Sequence, residues 1–234
     1  MIIAMWSGPR NLSTAMMRSF GARADCSVMD EPFFAPYLVA TGKAHPGREE
    51  TLARHENDPE KVAQICATPP TAAYSFQKHM PQHMVEGFPM DWAKGAKHFF
   101  LIREPARVIA SYVKSRAEFV VEDLGFKAQR RLWQALGNPP VIDSSDILRA
   151  PDKMLERLCA AIDIAWDPAM LSWEVGLRPE DGAWAPFWYH SVQKSTGFGT
   201  PPSTTPIMDE WYKSYLNEVP VSYTHLTLPT TPYV

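Results

Sequence analysis

Cysteine is nearly missing from this chain. Cys26, Cys66 and Cys159 are odd in number and far apart, which excludes a disulfide framework and the paired spacing of a zinc site, so reduced thiols are expected. Histidine offers no metal-ligand spacing either: His45 and His55 lie in a polar segment with Gly42, Pro46 and Gly47, His98 precedes an apolar run, and His190 sits in an aromatic loop. No metal is therefore expected. A large excess of one charge is also lacking. The net charge of −3 gives no global attraction to nucleic acid or anionic lipid, so neither is an expected partner. No apolar run is long enough to cross a bilayer, and the first residues carry no basic leader and no cleavage site, which gives the expectation of a cytoplasmic protein with no membrane partner. Internal repeats and an interdomain linker are absent. A chain of 234 residues, 45% hydrophobic, can bury one sizeable core, and a single domain over residues 1–219 is expected. Residues 220–234, with the string SYTHLTLPTTPYV, lose all periodicity and read as a disordered or non-native tail.

What is present begins at residue 2. Ile2, Ile3, Met5 and Trp6 form a short run apolar on both faces, as in a buried strand of a parallel sheet. It leads into the turn GPRNLST. Behind that turn Leu12, Ala15, Met16, Ser19 and Phe20 share one side of a helix whose first turn Ser13 and Thr14 can cap or line. Free amides at a helix start favour phosphate or sulfate, and Arg10 adds a permanent positive charge. An ordinary strand–turn–helix junction is the alternative. The segment is not a Walker motif, because no register of SGPRNLSTA places a Lys before the hydroxyl residue, and that demotes ATP or GTP hydrolysis.

Residues 98–116, HFFLIREPARVIASYVKSR, repeat the pattern of an apolar strand followed by a helix, with Pro105 well suited to a first helical position. Arg103 at the strand end and Ser111 on the helix could converge on one phosphate, the Arg by a bidentate charge-assisted pair; a solvated basic helix face is the alternative. Strands near 2–6, 26–30, 72–77, 98–103 and 140–143, separated by helical patterns, spell an α/β fold: a mostly parallel sheet with helices on both faces and ligands at the carboxyl ends of the strands. One helix is expected around Glu60 to Cys66 and another from about Glu118 to Leu136.

The GPRNLST turn resembles the 5′-phosphosulfate loop, written PRSGTT or PKSGTT, of sulfotransferases that use 3′-phosphoadenosine 5′-phosphosulfate (PAPS). Arg10, Ser13 and Thr14 match, while Asn11 and Leu12 depart. Arg103 and Ser111 match the spacing of the family's 3′-phosphate site, and VIDSSDILRAPDKMLERLCAAIDI at 141–164 is similar to its core-closing strand, acidic loop and helix. The likeness covers most of residues 1 to about 200, and is nearest to the small bacterial-type members. It implies the P-loop-like sulfotransferase fold, PAPS as donor without a metal, and a small-molecule acceptor, with a homodimer as an option for assembly. By the same resemblance Arg10, Asn11, Leu12, Ser13 and Thr14 hold the 5′-phosphosulfate, with Arg10 also catalytic, and Arg103 and Ser111 hold the 3′-phosphate.

Transfer of a sulfuryl group also asks for a base to take the acceptor's proton, a task that suits His. TAAYSFQKHMP at 71–81 resembles the family's K[TS]HLP segment: aligned on HxP, His79 takes the position of the catalytic base and Lys78 falls one place off, with His83 in reserve. Some relatives use a carboxylate, for which Glu31 in VMDEPFFAPYL is the candidate, here given an acceptor-positioning role beside Phe33. Phe33, Phe34 and Tyr37 can line an acceptor pocket or belong to the core. Lys194, Ser195, Thr196 and Gly197 lie where the family folds a late basic loop over the nucleotide, although its RKGxxG pattern is absent. A P-loop-type phosphoryl-transfer enzyme and a noncatalytic nucleotide-binding protein of the same fold are the other readings.

Overall fold

The computed structural model describes residues 1–201 except Ser115, Ala117 and Glu118. Five strands, β1 (Ile2–Ser7), β2 (Cys26–Asp30), β3 (Tyr74–His79), β4 (Lys97–Ile102) and β5 (Val141–Asp143), form one sheet in the order β2-β3-β1-β4-β5, every neighbouring pair parallel. β1 lies at the centre, which explains why its sequence is apolar on both faces. The chain builds one side of β1 with β2 and β3 and then crosses to the other side with β4. The loop after β1 therefore leaves the sheet at a topological switch point, where connections diverge and a crevice opens.

Helices cover both faces. On one, Ile3 and Met5 of β1, Phe76 of β3 and Phe99 and Leu101 of β4 pack against α1 (Ser13–Gly21) through Met16, Met17 and Phe20. The same face carries α2 (Phe34–Thr41), α7 (Ser144–Arg149) and α8 (Pro151–Ala161), the last through Leu155 and Leu158. On the other face Ala4, Trp6, Phe100 and Ile102 meet α4 (Pro59–Ala67) and α6 (Phe126–Ala135) through Val62, Ala63, Cys66 and Leu132. Each of these large apolar side chains contributes about 1.5–3 kcal/mol by burial. α3 (Arg48–Arg54), α5 (Pro105–Val113) and the short α9 (Ala185–Trp188) complete the helices of the described residues. None of these helices is long and apolar enough to cross a membrane.

Several boundaries differ from expectation for identifiable reasons. β3 runs on through Gln77, Lys78 and His79 because each is paired opposite β1 and its side chain finds a buried partner. The helix expected from Glu118 to Leu136 is divided: a short turn at Val121–Leu124 is followed by Gly125 at φ 75, where any Cβ would lie 2.5 Å from Gln82 Oε1, and α6 starts only at Phe126. α1 is entered through Leu12 at φ 73 rather than through a Ser or Thr cap, and no side chain caps it. The residues expected as a tail, 220–234, lie outside the described residues.

Candidate active site

The turn between β1 and α1 is held in a backbone shape that most residues avoid. Arg10 (φ 62) and Leu12 (φ 73) are both left-handed, at a cost of about 1–2 kcal/mol each for a residue with a Cβ. Surrounding groups hold the turn in place. Arg10 Nε donates to Ser111 Oγ of α5 at 2.9 Å, and Arg103 Nη1, just beyond β4, donates to the Arg10 carbonyl at 2.7 Å. Asn11, buried, reaches the Leu101 carbonyl with Nδ2 at 3.4 Å, and Gln129 reaches the same oxygen at 3.0 Å. Arg103 and Ser111 thus converge on Arg10, one on its carbonyl and one on its guanidinium. Burial pushes the Arg10 pKa down, yet a guanidinium stays charged at any physiological pH.

The first backbone bond into α1 is Met16 N–H to Leu12 O, so the amides of Ser13, Thr14 and Ala15 precede it. All three residues line a cavity of about 370 Å³, together with Arg10, Asn11, Leu12, Arg103 and Ser111. Positive charge and unspent amides share one wall. That chemistry fits a phosphate or sulfonate ester.

A second group of lining residues comes from the ends of β2 and β3 and from the late segment. Lys78, whose side chain is 1% exposed, donates to Asp30 Oδ1 (2.9 Å), Glu31 Oε1 (2.6 Å) and Tyr189 Oη (2.6 Å). Tyr189 donates in turn to Asp30 Oδ2 (2.6 Å) and accepts from Trp184 Nε1 (3.0 Å). Burial opposes a charged lysine, but Asp30 and Glu31 outweigh it and hold the Lys78 pKa well above its ordinary value. Burial likewise raises Asp30, with Lys78 pulling against it, and burial followed by Asp30 raises the Tyr189 phenol. Two carboxylates thus face one ammonium. Glu31, at φ 41, has its second oxygen 3.9 Å from His83 Nδ1 and engaged by nothing nearer among the described groups.

The late segment reaches this place by anchors on α1 and β2. Arg18 of α1 makes a buried bidentate pair with Asp181 at 2.7 and 2.6 Å, and Gly182 N–H donates to Asp30 Oδ2 at 3.1 Å. A Cβ on Gly182 would sit 2.1 Å from the Trp184 ring, so only glycine lets the indole fold back there. His55 Nε2 accepts from Ala183 N–H at 3.1 Å.

A family model described as a sulfotransferase domain matches residues 1–218. The chain belongs to the sulfotransferase domain family. Two curated relatives from Arabidopsis thaliana, named branched-chain-amino-acid aminotransferase-like proteins 2 and 1, are 40% and 39% identical over 88% of this chain. The chain spans 38% of the length of each. Among solved structures, a sulfotransferase domain from the curacin biosynthetic pathway is 15% identical, with a TM-score of 0.52 over 98% of this chain and 92% of that one. A sulfotransferase from Alicyclobacillus acidocaldarius is 12% identical with a TM-score of 0.50, covering 76% and 86%. These two likenesses establish the fold, the parallel α/β sheet of sulfotransferases.

Within this sulfotransferase domain the expected site residues are sorted by strand alternation. Successive residues of β3 face opposite sides, so Lys78 enters the cavity and His79 does not. His79 is 1% exposed, stacked on both Trp6 and Trp92 (ring centroids 4.8 and 4.6 Å), which also meet each other at 6.0 Å, with Nε2 3.1 Å from Gln77 Oε1. Burial, then His98 and His83, push its pKa well below the ordinary histidine value. The placement corrects the expectation of His79 as base, since it does not line the cavity. His83 is also buried, stacked on Phe34 and on Tyr37 at 4.8 Å each. Phe33 packs with Trp92 on the far face, and the neighbouring Phe34 lines the cavity in its place. Ser195 and Gly197 line it; Lys194 and Thr196 do not. Trp184, Trp188 and Tyr189, from the aromatic late loop that the sequence offers as a candidate lid, line it as well, as does His45, which was not expected there. Lys78 alone carried a readable signal, the period-two alternation of Tyr74, Phe76 and Lys78.

Proposed function

We propose that the domain transfers a sulfuryl group from PAPS to a hydroxyl of a small-molecule acceptor. The observation that carries this reading is the meeting of the two anion motifs, Arg10 with Ser111 and Arg103 with the Arg10 carbonyl, on one cavity. Arg10 and the amides of Ser13, Thr14 and Ala15 would hold the sulfonated phosphate, and Arg103 with Ser111 the 3′-phosphate. In the transfer a new bond forms between the acceptor oxygen and sulfur while the bond from sulfur to the bridging oxygen breaks. The electron pair leaves with adenosine 3′,5′-bisphosphate. Arg10 and the helix amides stabilise that developing charge without reorganising, which is where preorganised donors contribute most.

The acceptor's proton passes to Glu31 in this reading. Its carboxylate lines the cavity, is oriented by Lys78, and keeps one oxygen unspent. Asp30 balances the Lys78 charge when Glu31 becomes neutral. Transamination is not assigned to this stretch: the relatives so named extend well beyond it, and Lys78 is committed to three hydrogen bonds. The free, mostly buried cysteines agree with a reducing compartment such as the cytoplasm.

Calorimetric titration of the chain with adenosine 3′,5′-bisphosphate and with ATP, with and without magnesium, tests the donor. Preference for the bisphosphate, weakened about 10-fold or more in Arg103→Ala by loss of a charged hydrogen bond, is expected. Preference for magnesium–ATP would refute the reading in favour of phosphoryl transfer.

A further inference from the structure

Besides the arginines, the cavity is lined by a continuous run of rings. Phe34 meets Trp184 edge-on at 4.9 Å and His45 edge-on at 4.9 Å, and His45 lies 5.3 Å from Trp188. Trp188 Nε1 has no hydrogen-bond partner, so this indole serves the wall by its face and edge rather than as a donor. Behind the rings stands the Asp30–Glu31–Lys78 group, in which two carboxylates meet one ammonium. Lys78 offsets one carboxylate, and the second Glu31 oxygen, with nothing nearer than His83 Nδ1 at 3.9 Å among the described groups, is left on this side of the cavity. Lys78 itself illustrates the local chemistry: its ammonium sits 4.8 Å from the Tyr189 ring centroid while bound to both carboxylates. His45 is held below its ordinary pKa by burial, and its Nδ1 is 3.2 Å from the Pro46 carbonyl, so it adds a neutral ring and no competing charge near neutral pH.

Resting on the proposed sulfuryl transfer, we infer that this wall selects an acceptor alcohol carrying a positively charged ammonium group. Faces of Trp and Phe attract a desolvated cation, and the Glu31 carboxylate in the same cavity adds to that attraction. Among the described residues Lys78 already donates to three acceptors and Arg116, the cation that acts on His45, donates to the Ala44 carbonyl, so an anionic acceptor gains less here. An uncharged acceptor gains burial alone. The order of preference is therefore cationic, neutral, anionic.

The probes are choline and 3,3-dimethylbutan-1-ol, which share a shape and differ by the exchange of nitrogen for carbon. Both are titrated calorimetrically into the full chain, with and without adenosine 3′,5′-bisphosphate. Choline is expected to bind at least fivefold more tightly, with the ratio falling below two in Trp188→Leu, a change at a half-buried position that leaves the core intact. Equal or tighter binding of the neutral alcohol, or no measurable binding of either, overturns the inference. So does a wild-type ratio that survives both Trp188→Leu and Glu31→Gln. The bisphosphate isotherm reports separately on the donor: a bound nucleotide without choline preference defeats the ammonium inference alone, and choline preference without bisphosphate binding defeats the donor assignment.

Discussion

Replacing His79 by Phe separates the two candidate bases. The ring's stacking on Trp6 and Trp92 is preserved in shape, and the loss is confined to the contact at 3.1 Å with Gln77 Oε1. Leaving that buried oxygen unpaired costs about 1–3 kcal/mol. In a domain of this size each kcal/mol moves Tm by roughly 2–4 °C, so the melting temperature should fall by about 2–12 °C. The removal of a general base, by contrast, lowers turnover by about 10²–10⁴. His79→Phe should therefore melt earlier and retain kcat within about threefold of the wild type, a margin of well under 1 kcal/mol, measured below the melt by release of adenosine 3′,5′-bisphosphate. Glu31→Gln, which keeps the hydrogen bond to Lys78 possible through its amide oxygen, should lose about 10² or more in kcat with bisphosphate binding intact. A His79→Phe protein with normal melting and normal nucleotide binding but turnover down 10²-fold would refute the face assignment of β3.

Three further outcomes follow from the same structure. Lys78→Met leaves Asp30 and Glu31 buried without their cation and should destabilise by about 3–5 kcal/mol in urea titration, with partial recovery in the Lys78→Met, Asp30→Asn double variant; an additive double variant would disprove the coupling. His79 and His83 are held well below their ordinary pKa, so the unfolded chain binds more protons than the folded one below about pH 6.5: stability should be full above that value and fall by about 1.4 kcal/mol per pH unit for each ring as the pH drops toward the folded-state values. A flat urea-stability profile between pH 7 and 5 would contradict their burial as neutral rings. Gly125→Ala forces a Cβ into φ 75 and onto Gln82 Oε1, and should cost about 1–2 kcal/mol, read by thermal melting; an unchanged Tm would show that the break before α6 does not need glycine.

The strands were legible because a parallel sheet buries both faces, and the runs at Ile2–Trp6 and Phe99–Ile102 declare that without ambiguity. So was the pairing of Arg103 and Ser111 with the first turn, since strand-end residues and the following helix necessarily share the sheet's carboxyl edge. The base was not. Alignment on a short pattern favoured His79, whereas the pleat decides which of two adjacent side chains enters the cavity, and the apolar residues Phe76 and Phe99 set that pleat from a distance. Phe33 and Phe34, at the start of α2, were separated by the turn into that helix. The helix α3 was missed although Glu49 and Glu50 in its first turn and Arg54 in its last are the charges that a helix dipole favours. The partners of Tyr189, Trp184 and Trp188 could not have been found, because Asp30, Lys78 and His45 are remote in the chain and joined to them only by the tertiary fold.

The bond from Tyr189 to Asp30 spans 159 positions, and this separation bears on the order in which the molecule is completed during synthesis. A nascent chain that has emerged only through β5 already holds the whole sheet, yet its Asp30 and Lys78 lack the phenol, the indole and the Gly182 amide that later enclose them. Until the ribosome has passed residue 189, the charged trio stays wet and the crevice has a single wall. Nascent chains stalled before and after that point should differ in protease resistance at the cavity while sharing the same sheet.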